Sequence, residues 1–194
     1  PIPHVLKGDL KDIPNSGLGK TTSQKSGIAK WPSNIQRMWS AYYATVTYMD
    51  EQLGKILDEL ERLKLTDSTA IVFISDHGYH LGEKQHWEKF ALWENTTRVP
   101  LMVVAPKHTK PKTKCDTPVS LLDLYPTLVD LCGLELPPQT LEGKSFLNLL
   151  TKPGTKSQRV AITTQGQNNH AVRSSQHRYI QYADGTEELY DHAN

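Results

Sequence analysis

The stretch Ala70-Ile71-Val72-Phe73-Ile74-Ser75-Asp76-His77-Gly78 decides how this chain folds. A wholly apolar run, rich in β-branched side chains, ends abruptly in a polar pair and a glycine. The run is too short for a helix and lacks the alternation of a half-buried strand. Residues 70 to 75 therefore read as a strand apolar on both faces, the signature of a parallel strand covered by helices on each side. Open α/β sheets gather ligands at the carboxyl ends of such strands. There Asp76 and His77 offer a hard carboxylate oxygen and an imidazole nitrogen, which can share a metal ion. The plainer reading is that Asp76 caps the turn and His77 is a satisfied core imidazole.

Upstream, Pro32 precedes a capping-box pattern, with Ser33 as the cap and Gln36 reaching back. Ile35, Trp39, Tyr42, Val46, Met49, Leu53, Ile56, Leu60 and Leu63 then recur every three or four residues. Glu51/Lys55 and Asp58/Arg62 are spaced to pair on the outer face. This spacing predicts a helix over 33–65, about 45 Å long at ~1.5 Å per residue, which either kinks near Gly54 or spans a larger body. Before it, residues 1–32 read as an irregular surface connector, with turns at Pro14-Asn15-Ser16-Gly17 and Ser26-Gly27.

Downstream, Pro100 to Ala105 reads as a second strand stopped by Pro106. Ser120 to Gly133 reads as an amphipathic helix with Pro126 in an early turn and Gly133 as its stop. After Pro137-Pro138 and Lys152-Pro153-Gly154 the texture becomes β-like, over 159–164, 170–173, 179–182 and 187–190. The expected organisation is an α/β core over 1–150 and a small antiparallel sheet over 151–194.

Composition narrows the function. The 194 residues carry 22 Lys and Arg against 21 Asp and Glu, a net charge of +1. No field of either sign argues for nucleic acid or an anionic membrane. The apolar runs fall far short of a membrane span, and Pro1-Ile2-Pro3-His4 lacks the basic end and apolar region of a signal peptide. Cys115 and Cys132 have no metal-ligand spacing and are either a free pair or a bridge.

Six fragments carry a family resemblance: Ser75-Asp76-His77-Gly78, Leu81-Gly82-Glu83, Trp87-Glu88-Lys89, Thr97-Arg98-Val99-Pro100-Leu101, Asp123-Leu124-Tyr125-Pro126-Thr127 and Glu188-Leu189-Tyr190-Asp191. In this order, running from about Ala41 to the end, the chain resembles the type I sulfatases, particularly the iduronate-2-sulfatase-like and choline-sulfatase-like branches. The resemblance implies an alkaline-phosphatase-like α/β/α core followed by a four-stranded antiparallel subdomain, hydrolysing sulfate esters with one calcium ion. It also implies an exported setting, periplasmic, secreted or lysosomal.

Two family features are missing. The family's N-terminal Asp-Asp metal pair does not occur here, nor does the Cys/Ser-x-Pro-x-Arg context whose Cys or Ser is oxidised to the formylglycine nucleophile. Cys115-Asp116-Thr117-Pro118 has the wrong spacing, and His4 lacks the surroundings of the family's upstream catalytic histidine. The chain thus resembles the C-terminal portion of a sulfatase, with nucleophile and remaining ligands expected from an N-terminal segment of the same protein.

By the resemblance, Asp76 is a metal ligand. His77 is a second ligand or a hydrogen-bond partner of the nucleophile's oxygen. Lys89 is the sulfate-contacting lysine, kept protonated by Glu88. Since calcium takes about six to eight oxygen-rich ligands, these two residues cannot hold it alone. Tyr79, His80, His86 and Trp87 are candidates for a carbohydrate-binding wall, against a plain packing role. Arg98 is expected to pair with Glu94 structurally, and His170, Arg173 and His177, in a segment that the resemblance allows to approach the pocket rim, are expected on the solvated surface. Three functions stand at this point: a sulfatase acting on a carbohydrate or other small sulfate ester, a phosphodiesterase or phosphonate monoester hydrolase of the same superfamily, and a non-catalytic interaction module.

Overall fold

The structure, a computed structural model, describes residues 6–19 and 32–192, with side chains of the second segment from residue 35 onward. The Ser33 side chain of the expected capping box, the turn at Ser26-Gly27 and His4 lie outside what the structure describes. The helices are α1 (Asn15–Leu18), α2 (Pro32–Arg62), α3 (Glu94–Thr97), α4 (Leu124–Cys132) and α5 (Leu147–Thr151). The strands are β1 (Ile71–Ile74), β2 (His80–Leu81), β3 (Trp87–Glu88), β4 (Leu101–Val104), β5 (Ala161–Thr164), β6 (His170–Arg173), β7 (His177–Gln181) and β8 (Glu187–Asp191).

The helix predicted over 33–65 is α2, 31 residues without a break at Gly54. Lys55 reaches Glu51 at 2.9 Å as expected, whereas Arg62 takes Glu59 at 2.6 Å rather than Asp58. Its apolar stripe meets the rest of the described residues mainly at Trp39 and Tyr42. Trp39 Nε1 donates to the Leu81 carbonyl at 2.7 Å and its ring stacks on Trp87, while Tyr42 lies against Tyr79. Val46, Met49 and Ile56 on the same stripe are exposed.

The pairing of β1 corrects the sequence reading. β1 runs antiparallel to β4, with Ile71 opposite Val104 and Ile74 opposite Leu101. A parallel return needs a crossover of a dozen or more residues, usually through a helix. Here the connection over residues 75–100 is long enough but holds only short strands, a 3-10 turn and the single-turn α3, with no crossover helix to carry the chain back across the sheet. Ile74, Met102 and Val104 are exposed on this ribbon, so its apolar faces are incompletely covered among the described residues.

The helix predicted over 120–133 begins as a 3-10 turn over Leu121–Asp123 and continues as α4. Ser120 and Asp123 cap it reciprocally, and Gly133 ends it at φ 62°, a left-handed position that glycine adopts without steric cost. The buried Asp123 carboxylate also accepts from Lys144 N and from Arg159 Nη1 at 3.0 Å, which ties this helix to the segment leading into β5. The four β-like segments form one antiparallel meander, β5-β6-β7-β8.

The main core joins that sheet to the loop before α3. Ala91, Leu92 and Trp93 pack against Ala171, Ile180 and Tyr182, and Ile13 closes the cluster from the N-terminal side. The segment expected as a surface connector thus contributes a core residue. Arg178, 3% exposed at its side chain, reaches the Glu94 carboxylate at 2.6 Å and donates to the Leu92 carbonyl. Arg173 binds the same carboxylate at 3.1 Å, so it is half-buried and not on the solvated surface, whereas His170 and His177 are exposed as expected. Arg178→Leu would leave Glu94 half-buried without its main partner. The expected loss is about 3 kcal/mol of unfolding free energy, read by urea denaturation, and a loss under about 1 kcal/mol would show that the pair is not holding the sheet.

Candidate active site

The polar pair after β1 is held by backbone contacts. Gly78 N donates to the Thr96 carbonyl at 2.7 Å, and a Cβ on Gly78 would sit 2.0 Å from the Asn95 carbonyl oxygen. Only glycine lets the loop lie this close to α3. Ser75 Oγ donates to the His77 carbonyl, and His77 N donates to Asp76 Oδ1 at 3.0 Å.

Three groups converge there. His77 Nδ1 lies 2.9 Å from the Gly78 carbonyl, and a carbonyl only accepts, so Nδ1 carries the proton. The Nε2 lone pair then points the other way. It lies 3.8 Å from Asp76 Oδ1 and 3.1 Å from Lys89 Nζ. One side is a fixed imidazole acceptor beside an 87% exposed carboxylate, the other an ammonium. These groups open into a cleft of about 1120 Å³, whose walls include Thr97 and Arg98, Cys115 to Pro118, Ala161 to Gln165, and Arg173 and His192.

A metal ion fits the donor set in part. A carboxylate oxygen and an imidazole lone pair within 4 Å of each other suit a shared divalent cation. No group of three or more His, Cys, Asp or Glu residues able to hold a metal occurs among the described residues. Cys115 and Cys132 are free and exposed, which settles the cysteine question left open by the sequence.

The four residues proposed for a carbohydrate-binding wall separate. His80, His86 and Trp87 are buried at 1%, 1% and 4% exposure and act as packing groups, not as an open wall. Tyr79 is half-buried against Tyr42, with its hydroxyl pKa raised by burial and by the nearby Glu88 and Tyr42. His80 Nδ1 is 2.7 Å from Thr96 Oγ1, and its ring meets His86 and Trp93 edge to face. Burial, with the charges of His86 and Lys84, pushes His80 down to about 3.

Sequence reading missed the hub around Glu94. Arg98 does approach it, at 3.9 Å, yet the strong partners are Arg173 and Arg178, with His192 at 3.6 Å. Burial raises the Glu94 pKa, but the hydrogen bonds and charges of Arg178 and Arg173 outweigh it and hold the carboxyl below its ordinary value. The signal was present in the period of β7. Arg178 is in phase with Ile180 and Tyr182, so it had to face the core and find a buried acid there.

The sulfatase family model matches residues 11–134. This chain belongs to the sulfatase family. A second model, for the C-terminal part of N-sulphoglucosamine sulphohydrolase, matches residues 82–194. A sulfatase of Formosa agariphila is 42% identical over 99% of this chain, which spans only 38% of that relative. Choline-sulfatase of Rhizobium meliloti is 44% identical over 53% of the chain and 20% of its own length. Iduronate 2-sulfatase of Mus musculus is 35% identical over 56% of the chain and 24% of its own length. Among solved structures, a phosphonate monoester hydrolase from Silicibacter pomeroyi superposes with a TM-score of 0.81 at 23% identity, over 99% of this chain and 44% of that one. An enzyme solved with its substrate D-glucosamine-2-N,6-O-disulfate gives 0.68 at 28% identity, over 77% of this chain and 33% of that one. The fold is therefore the alkaline-phosphatase-like α/β architecture of the family, and no helix of the described residues is long and apolar enough to cross a membrane.

Burial of His80 in its neutral form should make the fold acid-sensitive. Its folded pKa lies below the unfolded value of 6.5, so its contribution is intact above about pH 6.5 and is lost progressively as pH falls towards 3. Denaturation between pH 6.5 and 4 should show up to about 1.4 kcal/mol lost per pH unit from this one proton. His80→Leu should flatten that slope, whatever its absolute stability. An unchanged slope would show that His80 protonates freely in the folded protein.

Proposed function

We propose that this chain forms one side of a sulfate-ester hydrolase site, completed by an N-terminal segment of the same protein that brings the formylglycine nucleophile and the remaining metal ligands. The observation that carries this reading is the convergence of Asp76, His77 and Lys89 on one cleft, with the Nε2 lone pair of His77 facing both a carboxylate and an ammonium. Asp76 and His77 would hold a calcium ion, with the His77 Nε2 lone pair given to the ion in place of the Lys89 ammonium, and the bound ion would supply positive charge against the sulfuryl oxygens.

The chain's own residues do the rest. Donation from Nδ1 to the Gly78 carbonyl fixes the His77 ring with Nε2 as an acceptor, which suits a ligand and not a proton donor to the nucleophile. Lys89 places its ammonium where charge develops on the bridging or leaving oxygen as the sulfate ester breaks. The substrate is a sulfated carbohydrate, supported by the neighbour whose substrate is D-glucosamine-2-N,6-O-disulfate. The phosphonate monoester hydrolase likeness, below 25% identity, speaks to fold alone.

The test uses the full-length polypeptide. Asp76→Ala should abolish both calcium retention and sulfate release from 4-nitrophenyl sulfate. Lys89→Ala should lower kcat by about 100- to 1000-fold while calcium affinity, by calorimetric titration, stays near wild type. Equal calcium affinity in wild type and Asp76→Ala would refute the ligand assignment.

A further inference from the structure

Lys89 sits in a strained loop. Glu88 and Phe90, the residues on either side of it, have φ of 78° and 72°. Non-glycine residues take such angles only when their surroundings over-determine them. Something must hold this turn. The short pairing of β2 with β3 fixes Glu88 opposite His80, but it ends before Lys89. Beyond it, the carbonyl of Lys89 accepts a hydrogen bond from His86 Nε2 at 2.9 Å.

The imidazole that makes this bond has little freedom to move. His86 is 1% exposed, with its ring edge to face with His80 at 4.9 Å and with Trp93 at 5.8 Å. Trp93 is fixed in turn, since its Nε1 donates at 2.9 Å to Glu188 on β8, a buried carboxylate that also accepts from the hydroxyls of Tyr182 and Tyr190. A continuous series of contacts therefore runs from the C-terminal sheet through Trp93 and His86 to the Lys89 backbone.

We propose that His86 is a positioning residue that fixes Lys89 through its backbone carbonyl, and that by way of Trp93 and Glu188 the C-terminal sheet sets where the ammonium stands. The inference rests on the role given to Lys89 above. Without the His86 bond, the two left-handed residues are free to relax and the ammonium loses its 3.1 Å position against His77 Nε2. His86 does not itself line the cleft and meets it at the Lys89 backbone, so its effect on turnover passes through Lys89.

The experiment is a double-mutant cycle in the full-length enzyme with 4-nitrophenyl sulfate, paired with hydrogen exchange over residues 82–93. His86→Leu keeps the packing but removes the donor. It should lower kcat at least tenfold with KM changed less than threefold, and it should raise exchange in that segment without changing exchange elsewhere. His86→Gln, whose amide can still donate to the carbonyl, should recover most of kcat and of the protection. Adding His86→Leu to Lys89→Ala should cost nothing more. A folded His86→Leu protein with wild-type kcat and wild-type exchange overturns the positioning role, as does an equal loss in the Lys89→Ala background. If Lys89→Ala itself retains wild-type kcat, the reading of Lys89 fails, and the positioning claim fails with it.

Discussion

The carboxylate of Glu94 is where the two parts of this chain are tied together. It opens α3 directly after the loop that carries Lys89, and it accepts from Arg178 and Arg173 on two neighbouring strands of the C-terminal sheet. An arginine as buried as Arg178 is strongly disfavoured unless it is paired and its donors are met. Glu94 and the Leu92 carbonyl meet them, so the sheet seats on the 91–94 segment in one register. The apolar contacts of Leu92 and Trp93 with Ile180 and Tyr182 add most of the burial, while the charged pair selects the orientation.

Everything at the site hangs from that seat. α3 fixes Gly78 through the Thr96 carbonyl, and so fixes the loop that presents Asp76 and His77. The same α3 threonine holds His80 through its hydroxyl, and His80 and Trp93 together enclose His86. Strained or loosely paired backbone thus carries the groups that face the cleft, and a buried polar and aromatic layer beneath it removes their freedom. Two imidazoles, His77 and His80, serve different ends here. One is held at the cleft between the Gly78 carbonyl and Lys89, and the other is kept uncharged by burial.

The family and its order of elements were legible because the signals are local. The apolar run before Asp76, the Ser120 to Gly133 helix and the β-segments after Gly154 each carry their own periodicity and punctuation, and each appears close to where it was expected. The misreadings all concern direction or partner. A doubly apolar strand does not encode whether its neighbour runs parallel, and β4 returns antiparallel through a connection that contains no long crossover helix. His80, His86 and Trp87 looked like pocket groups because a loop sequence does not state which face is inward. In the fold they lie under the loop and not along the cleft.

What the sequence determined by itself is the membership in the sulfatase family and the succession of helix, strand and meander, since these depend on residue type and spacing. What only the tertiary structure decided is which charges meet. Arg173 and Arg178 find a carboxylate 79 and 84 residues away along the chain, and His86 reaches the Lys89 carbonyl from beneath a turn with two left-handed residues. The reason is physical: hydrophobic periodicity is written in neighbouring residues, whereas the pairing of buried polar groups is forced only once packing has removed water from both partners.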